Sequence, residues 1–465
     1  MTQTARQFQR NCDTTTNDAD HRSWIRIALN QAGDARSTAQ ARFNDWDGAC
    51  GAASQIKWES LDHLAENLES FEAKLLARGA SVHWAETGED ACAYILRVAA
   101  ERHAKRIVKS KCMTTEEIGL NERLEAAGLK VVESDLGEFI VQLRKEPPYH
   151  FVFPAMHLRR NRISETFERE IGAAPTEDAE SLTLTARQEL RNVFLSADIG
   201  ISGANFGVAD TGMISITENE GNARLTTSIP RIHIAVMGIE KVIPRLADLA
   251  LLLPVLATSA TGQTLTCYNT MIGGPRQPGE VDGPDEFHVI LLDNGRTRLL
   301  ADPGLRDALR CIRCGACLNI CPVYRNIGGH AYDTTYQGPI GAVITPHLQD
   351  LTNWKHLAFA SSLCGACTET CPVGIRLHDH LHHTRSMVAE RKTSGLEAMM
   401  ARMYAFAALR PGLFQWCGRQ MRRTLRMTTR FRGGRLDPFR AWRHTRDLPA
   451  APAKSFHDLW KERKA

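Results

Sequence analysis

The sequence predicts an α/β domain built on a mostly parallel sheet, followed by a smaller helical domain organised around cysteines. Helix and strand signals alternate from Phe71 to about residue 300. Seven of the 13 cysteines lie between Cys311 and Cys371. A chain of 465 residues also exceeds what one core usually serves, which calls for two or three domains. With 43% hydrophobic and 24% charged residues, the composition excludes a disordered or fibrous chain. The longest apolar stretch, Leu246 to Ala257, contains Asp248 and Pro254 and is too short to span a bilayer. The N-terminal residues lack the apolar core of a secretory signal, so a cytoplasmic location is expected.

Residues 1–65 read as a polar helical extension, an arm or a packing element. Residues 66–300 form the α/β domain. Here FEAKLLARGA is an amphipathic helix ending at Gly79, and SVHWAE is a strand. A helix over Asp90 to His103, the strand RIVKS, a helix over Thr115 to Ala127 and the strand KVVES follow. Strands separated by such helices indicate βαβ units. Glycines 200, 203, 207, 212 and 221 then punctuate short apolar strands, of which RIHIAVMG reads as fully buried. Residues 301–385 carry the cysteines, and residues 386–465 read as a basic helical segment interrupted by Pro411. From Ala401 onward sixteen Lys or Arg face four Asp or Glu, a net +12 that leaves −8 for the rest of a chain whose total is +4.

The first cysteine cassette is Cys311-x2-Cys314-x2-Cys317-x3-Cys321-Pro322, and the second is Cys364-x2-Cys367-x3-Cys371-Pro372. Thiolates at this spacing wrap one cubane cluster, while the cysteine before proline turns away to ligate the other. Crossed in this way, cluster 1 takes Cys311, Cys314, Cys317 and Cys371, and cluster 2 takes Cys321, Cys364 and Cys367. Both are expected to be iron–sulfur clusters of the 4Fe-4S type. Ser361 stands where an eighth cysteine would be, so cluster 2 is either 3Fe-4S or has a non-cysteine fourth ligand. Zinc is the alternative for CxxC pairs, but seven ligands do not divide into closed tetrahedra. Two such clusters carry single electrons. The remaining cysteines, 12, 50, 92, 112, 267 and 417, read as small buried side chains. The 42 residues between Cys321 and Cys364 exceed what a compact two-cluster ferredoxin needs, and the spacing resembles the α-helical ferredoxin domain of succinate dehydrogenase-type iron–sulfur subunits.

The strings VKSKCMTTEEIGLNE, GISGANFGVADTG, ENEGNARL and HIAVMGIEKVIP, with RCGACLNICPVYRNIGGHAY, GPIGAV and SSLCGACTETCPV, resemble the B-type iron–sulfur subunits of the bacterial lactate-utilization system. The resemblance runs from about residue 65 to the C-terminus. It implies a lactate-utilization domain with the ribose-5-phosphate isomerase/CoA-transferase fold, joined to a ferredoxin-type domain. It also implies electron transfer in a non-NAD-linked oxidation of L-lactate to pyruvate, with two partner subunits: one cysteine-rich, the other a second α/β protein. An electron acceptor at the membrane is a further partner. Cys112 departs from the serine usual in the family and Asp210 from the usual glutamate, whereas Ser361 agrees with it. Another 2-hydroxy acid such as glycolate, or a metabolite-binding module without turnover, is the alternative reading.

Within the α/β domain, Lys109 and Lys111 at a strand end precede Thr114, Thr115, Glu116 and Glu117, which read as a capped helix start. The two lysines are candidates for holding a carboxylate. Ser202, Gly203 and Asn205 follow a strand and can present N–H groups to an anion. Glu220 and Asn222, in the run Glu218 to Asn222, belong either to a ligand site or to a hairpin turn. His157 and His233 read as structural histidines and not as catalytic bases. No catalytic residue is assigned, and no G-x-G-x-x-G opens a helix after a strand, so no dinucleotide site is marked. At the basic end, Leu413, Cys417, Met421 and Leu425 share one helical face, with Arg419, Arg422, Arg423, Arg426 and Arg430 largely off it. Residues 412–435 are therefore expected to pack on the ferredoxin domain, to bind a partner subunit or to meet a membrane surface. Nucleic acid is not expected, since no recognition module is visible.

Overall fold

The computed structural model describes residues 2–391, 395–428, 437, 439–443, 446 and 450–464. The chain divides into two compact units, Met1–Ser386 and Met387–Ala465.

The first unit begins with four helices, Gln3–Asn17, Ala19–Gln40, Trp46–Asp62 and Leu64–Ala77. The side chains of Thr2, Asp18 and Asp45 cap the first three by accepting from backbone N–H groups that a helix start leaves unpaired. These helices lie across both halves of the unit. Trp24 Nε1 donates to Met156 O at 2.9 Å, Arg36 Nη2 to Thr370 O at 2.8 Å, and the buried Lys57 Nζ to Glu240 O at 2.7 Å.

Six strands then build one parallel sheet: β1 Ser81–Ala85, β2 Arg106–Lys109, β3 Lys130–Glu133, β4 Ile199–Gly203, β7 Ile232–Gly238 and β10 Glu286–Leu292, in the order β1-β10-β7-β4-β2-β3. Every residue of β7 is buried, as a strand covered on both faces requires. Ile232, Ile234 and Val236 join Ile107, Ile199 and Ile201 in the core of one face, while Ala235 and Met237 join Phe71, Val289 and Leu291 on the other. After β2 the chain moves outward to β3, and after β4 it moves the opposite way to β7. The strand order therefore reverses between β2 and β4.

The strands β5 Phe206–Val208, β6 Met213–Glu218, β8 Val242–Ile243 and β9 Tyr268–Ile272 form a second sheet in the order β8-β5-β6-β9. Its β5/β6 and β6/β9 pairs are antiparallel. Periodicity does not announce this sheet, because its strands are short and pair by tertiary contact.

Local readings differ from the sequence expectation at several places: of the cysteines expected to be small buried side chains, Cys267 is exposed and Cys12, Cys50 and Cys417 are half-buried. The expected single helix over Thr115 to Ala127 is two, Met113–Glu117 and Leu120–Ala126, broken at Gly119 with φ +61°. Neither Thr114 nor Thr115 caps it: Cys112 precedes the helix without a side-chain cap, and the Thr115 hydroxyl is occupied between Cys112 O at 2.7 Å and Lys109 Nζ at 3.0 Å. The run Glu218 to Asn222 is not a hairpin. Gly221, at φ +79°, turns β6 into the helix Asn222–Ser228, whose first amides at Ala223 and Arg224 donate to Glu218 at 2.7 and 2.8 Å.

Beyond β10 the first unit is helical, with short segments Ala316–Ile320, Tyr324–Ile327, Gly338–Leu348, Leu351–Trp354, His356–Phe359 and Ala366–Glu369, then Leu377–Arg391. Leu318, Tyr324, Tyr332, Ile340, Val343, Leu357 and Leu381 are among its buried side chains. The second unit contains the helices Leu396–Ala408, Pro411–Thr428, Arg440–Arg443 and Phe456–Lys464. The helical segment breaks before Pro411 as expected: one helix ends at Ala408 and Pro411 opens the next, as its missing N–H allows at a first position. Of the basic face, Arg419, Arg422, Arg423 and Arg426 are described, whereas Arg430 lies outside the described residues. Among the described residues, no helix is long and apolar enough to cross a membrane.

Candidate functional site: two cysteine sets and a cavity at the sheet edge

The two cassettes fold into the same loop. Arg313 and Leu363, each just before a cysteine, take φ +61° and +55°, and Gly315 and Gly365, each just after it, take +78° and +85°. Non-glycine residues are held in the left-handed region only where surrounding structure fixes them, so repetition of the pair marks a loop built for its side chains. Cys311 Sγ accepts from Arg313 N at 3.4 Å, and in the second cassette Ser361 Oγ accepts from Leu363 N at 3.1 Å. The serine hydroxyl thus stands in the place of the first cysteine's sulfur.

The thiols fall into two sets by their mutual electrostatics. Burial, then negative charge on Cys371 and Cys311, pushes the Cys314 thiol up to about 12. Cys317 is raised well above the ordinary thiol value by burial and by Cys311, Cys314 and Cys371. Cys371 rises to about 11, chiefly by burial, with Cys311 adding to it. In the other set, burial and then Cys321 and Cys364 raise Cys367 to about 11, and Cys364 acts on Cys321. Convergent thiols that penalise one another's ionisation are a donor set that a cationic cluster neutralises, so the residues fit the group the spacing implies. Cys314, Cys317, Cys321 and Cys367 are buried, Cys311 and Cys371 half-buried, and Cys364 exposed.

The loop of the first cassette also touches the α/β domain. His150, fully buried, shares a hydrogen bond of 3.0 Å with Asn319 Oδ1 through Nε2, and its Nδ1 accepts from Val152 N at 3.0 Å. Burial lowers its pKa to about 3, so it serves as a neutral link. Between the halves lies a cavity of about 350 Å³, at the C-terminal ends of β2, β4 and β7. Ser110 to Cys112 follow β2, Gly203 to Asn205 come from β4, and Lys241 follows β7; Arg313 and Tyr336 close it from the cysteine side. This is the crevice where an open parallel sheet binds ligands, beside the reversal of strand order.

Of the predicted ligand residues, Lys111, Gly203, Asn205, Glu220 and Asn222 line this cavity; Lys109 and Ser202 do not. Lys111 Nζ donates to Val152 O at 2.7 Å. The ring Nε2 of His233 and the hydroxyl of Ser202 share a hydrogen bond of 2.7 Å in the core, and burial lowers His233 to about 3. His157 Nε2 lies 3.0 Å from Glu146 Oε2, with its ring stacked on Tyr149. Lys109 is fully buried and pairs with Glu116 at 2.8 Å and Glu133 at 2.7 Å. Burial works against its charge, but Glu116, Glu133 and Glu138 outweigh it and hold the ammonium charged. Three carboxylates converge there, and the Lys109 ammonium already supplies a cation among them.

Sequence reasoning missed Lys241, Arg313 and Tyr336. The available signal was the pair Glu240-Lys241, charges placed just after a wholly buried strand, and an arginine inside a CxxC. Glu240 is buried and accepts from Arg296 Nε at 2.6 Å; against burial, Arg296 and Lys241 hold it down at about 2. Arg296 Nη2 also pairs with Glu117 at 2.8 Å, to which the Tyr336 hydroxyl donates at 2.7 Å.

Comparison with known proteins places these features. Residues 68–292 match the LUD domain, 307–375 the 4Fe-4S dicluster domain, and 378–465 the C-terminal domain of lactate utilisation protein B. The Uncharacterized electron transport protein YkgF of Escherichia coli (strain K12) is 43% identical over 453 residues, 96% of this chain and 94% of that one. Lactate utilization protein B of Oceanobacillus iheyensis is 42% identical over 92% of this chain and 93% of its own, and that of Shouchella clausii 40% identical over 98% and 97%. A DUF162 family protein of Deinococcus radiodurans of known crystal structure shows 17% identity and a TM-score of 0.28, over 49% of this chain and 98% of that one, too low to bear on the fold. A LUD domain, a dicluster domain and the C-terminal domain particular to these proteins thus follow one another along one chain, which belongs to the lactate utilization protein B family.

Proposed function

We propose that this chain is the electron-transfer subunit of a multi-subunit, non-NAD-linked system that oxidises L-lactate to pyruvate. The supporting observation is the convergence of Cys371, from the second cassette, on Cys311, Cys314 and Cys317 of the first. With Cys321, Cys364 and Cys367 as the other set, two clusters with crossed ligands lie side by side. When bound, they supply one-electron carriage. The chain's own residues do the rest. Burial of Cys314 and Cys317 keeps water from cluster 1, and backbone N–H groups of Arg313 and Ile375 donate to Cys311 Sγ and Cys371 Sγ at 3.4 and 3.3 Å. Such donors favour the reduced, more negative cluster. The exposed Cys364 makes cluster 2 the outward end of the wire.

We assign the fourth position of cluster 2 to Ser361, whose hydroxyl repeats the geometry of Cys311. The α/β domain is assigned the ribose-5-phosphate isomerase/CoA-transferase-like fold, a reading that the parallel sheet with its cavity at the strand ends supports. The partners in this reading are a cysteine-rich protein and a second α/β protein, and the basic C-terminal segment serves to contact them.

Gene deletion tests the function. A strain lacking the protein should fail to grow on L-lactate, recover with the wild-type gene and not with Cys371→Ala. Undiminished growth of the deletion strain on L-lactate would reject the proposal.

A further inference from the structure

The cavity at the sheet edge holds two cations, Lys241 and Arg313, that no carboxylate binds closely. Lys241 is 8% exposed and lines the cavity, yet its ammonium makes no hydrogen bond or ion pair among the described residues. Arg313 reaches the same space: its Nη1 is buried without a hydrogen-bond partner, its Nη2 lies 3.7 Å from Glu240, and its guanidinium covers the ring of Tyr336 at 4.5 Å. Glu240 has little to offer either, because Arg296 holds it at 2.6 Å. Around this end Lys57, Lys241, Arg296 and Arg313 face two buried carboxylates, Glu117 and Glu240, and the sulfur of Cys311, whose negative charge favours the charged forms of Lys57, Lys241 and Arg313. The opposite end of the cavity is acidic. There Glu218 accepts from the amides of Ala223 and Arg224, Glu220 from Leu136 N at 3.0 Å, and Asp135 lies on the same wall.

A buried guanidinium N–H without a partner, such as Arg313 Nη1, is costly, and an ammonium facing a cavity beside it adds positive charge that an arriving anion would meet. A volume of about 350 Å³ is within the range of small-molecule sites. The cationic end carries Arg313, which lies between Cys311 and Cys314 and directly precedes the latter, so whatever binds there lies against the loop of cluster 1. We propose that this cavity is a binding site for a small organic acid, its carboxylate held by Lys241 and Arg313 and the hydroxyl of a 2-hydroxy acid donating toward the acidic wall. The choice of 2-hydroxy and 2-oxo acids rests on the function proposed above; the carboxylate site itself rests on the cations. The site lies at the inner end of the electron path, with Cys364 at the outer end. Its anion also acts on cluster 1, because a negative charge beside the cluster opposes addition of an electron.

The test uses the full chain, anaerobically loaded with its clusters, and isothermal titration with L-lactate, pyruvate, acetate and inorganic phosphate. A redox titration of cluster 1 followed by electron paramagnetic resonance, with and without pyruvate, accompanies it. Lactate and pyruvate should bind, and pyruvate should shift the potential of cluster 1 downward. Lys241→Met should weaken binding by about 10- to 100-fold, the loss expected for a charged hydrogen bond, while iron content stays unchanged. Lys241→Arg should restore most of the affinity. Phosphate binding as tightly as the acids would overturn the carboxylate assignment. Absence of acid binding would overturn the site, and if Lys241→Met then still moved the potential, the cations would belong to the cluster alone. These outcomes leave the electron-transfer proposal standing wherever the clusters are present and reducible; a chain that binds the acids but holds no iron would instead reject that proposal.

Discussion

The difference between Cys311 and Ser361 is one atom type at matched positions, and in the ligation proposed above it separates the two clusters chemically. The cassettes share their positive-φ residues and glycines, and the amide two residues on donates to sulfur in one and to oxygen in the other. A serine oxygen holds iron less firmly than a thiolate, because soft sulfur suits these clusters better. The Ser361→Cys variant should therefore keep its cluster 2 iron on brief exposure to air, whereas Ser361→Ala should lose about one iron per chain and develop a three-iron signal. Iron analysis and electron paramagnetic resonance before and after oxidation check this, and a Ser361→Ala protein indistinguishable from wild type would remove Ser361 from the ligand set. Sequence spacing shows where the eighth ligand is missing. Only the repeated loop geometry shows what its replacement offers.

At the scale of elements, the charged cluster under the cavity joins β2 through Lys109, β3 through Glu133, the helix Met113–Glu117 through Glu116 and the helix Leu136–Leu143 through Glu138. The sequence marks Lys109 as a ligand residue at a strand end, but its ammonium instead ties these elements together. Burial, then the neighbouring Glu133, raises Glu138 well above the ordinary 4.5, and its Oε1 has no hydrogen-bond partner. The folded state thus binds this proton more tightly than the unfolded state. Stability from this group is fully present below pH 4.5 and falls as pH rises from there toward the folded value. The Glu138→Gln variant, neutral throughout, removes that decline. Its thermal midpoint relative to wild type should rise between pH 5 and pH 8, with the underlying difference growing by about 1.4 kcal/mol per pH unit until the folded value is reached. Midpoints that shift in parallel across this range would show that Glu138 is ionised in the fold. The broken helix at Gly119 and the turn at Gly221 belong to this scale too: each glycine is visible in the sequence, but whether it ends a helix or begins one depends on what packs against it.

For the whole molecule, the basic segment is a separate compact unit, with Phe414, Trp416, Met421 and Met427 exposed on the helix Pro411–Thr428. Truncation after Met403 should leave the iron content of the chain unchanged and reduce co-purification with the partner proteins, as pull-down and iron analysis would show; a truncated chain that loses its iron would make the segment structural. The sequence by itself determined the alternation of helix and strand, the buried parallel strands and the cysteine cassettes. These are local patterns, set by side-chain periodicity and by the few spacings that let thiolates reach one cluster. It also marked Lys111, Gly203, Asn205, Glu220 and Asn222, because strand ends and glycine turns carry their own signature. Only the tertiary structure decided that Lys109 and Ser202 are interior, that the N-terminal helices clasp both halves of the first unit, and that Lys241 and Arg313, 72 positions apart, face one cavity. Burial and charge compensation depend on which distant residues meet, and a chain records its neighbours in sequence far more plainly than its neighbours in space.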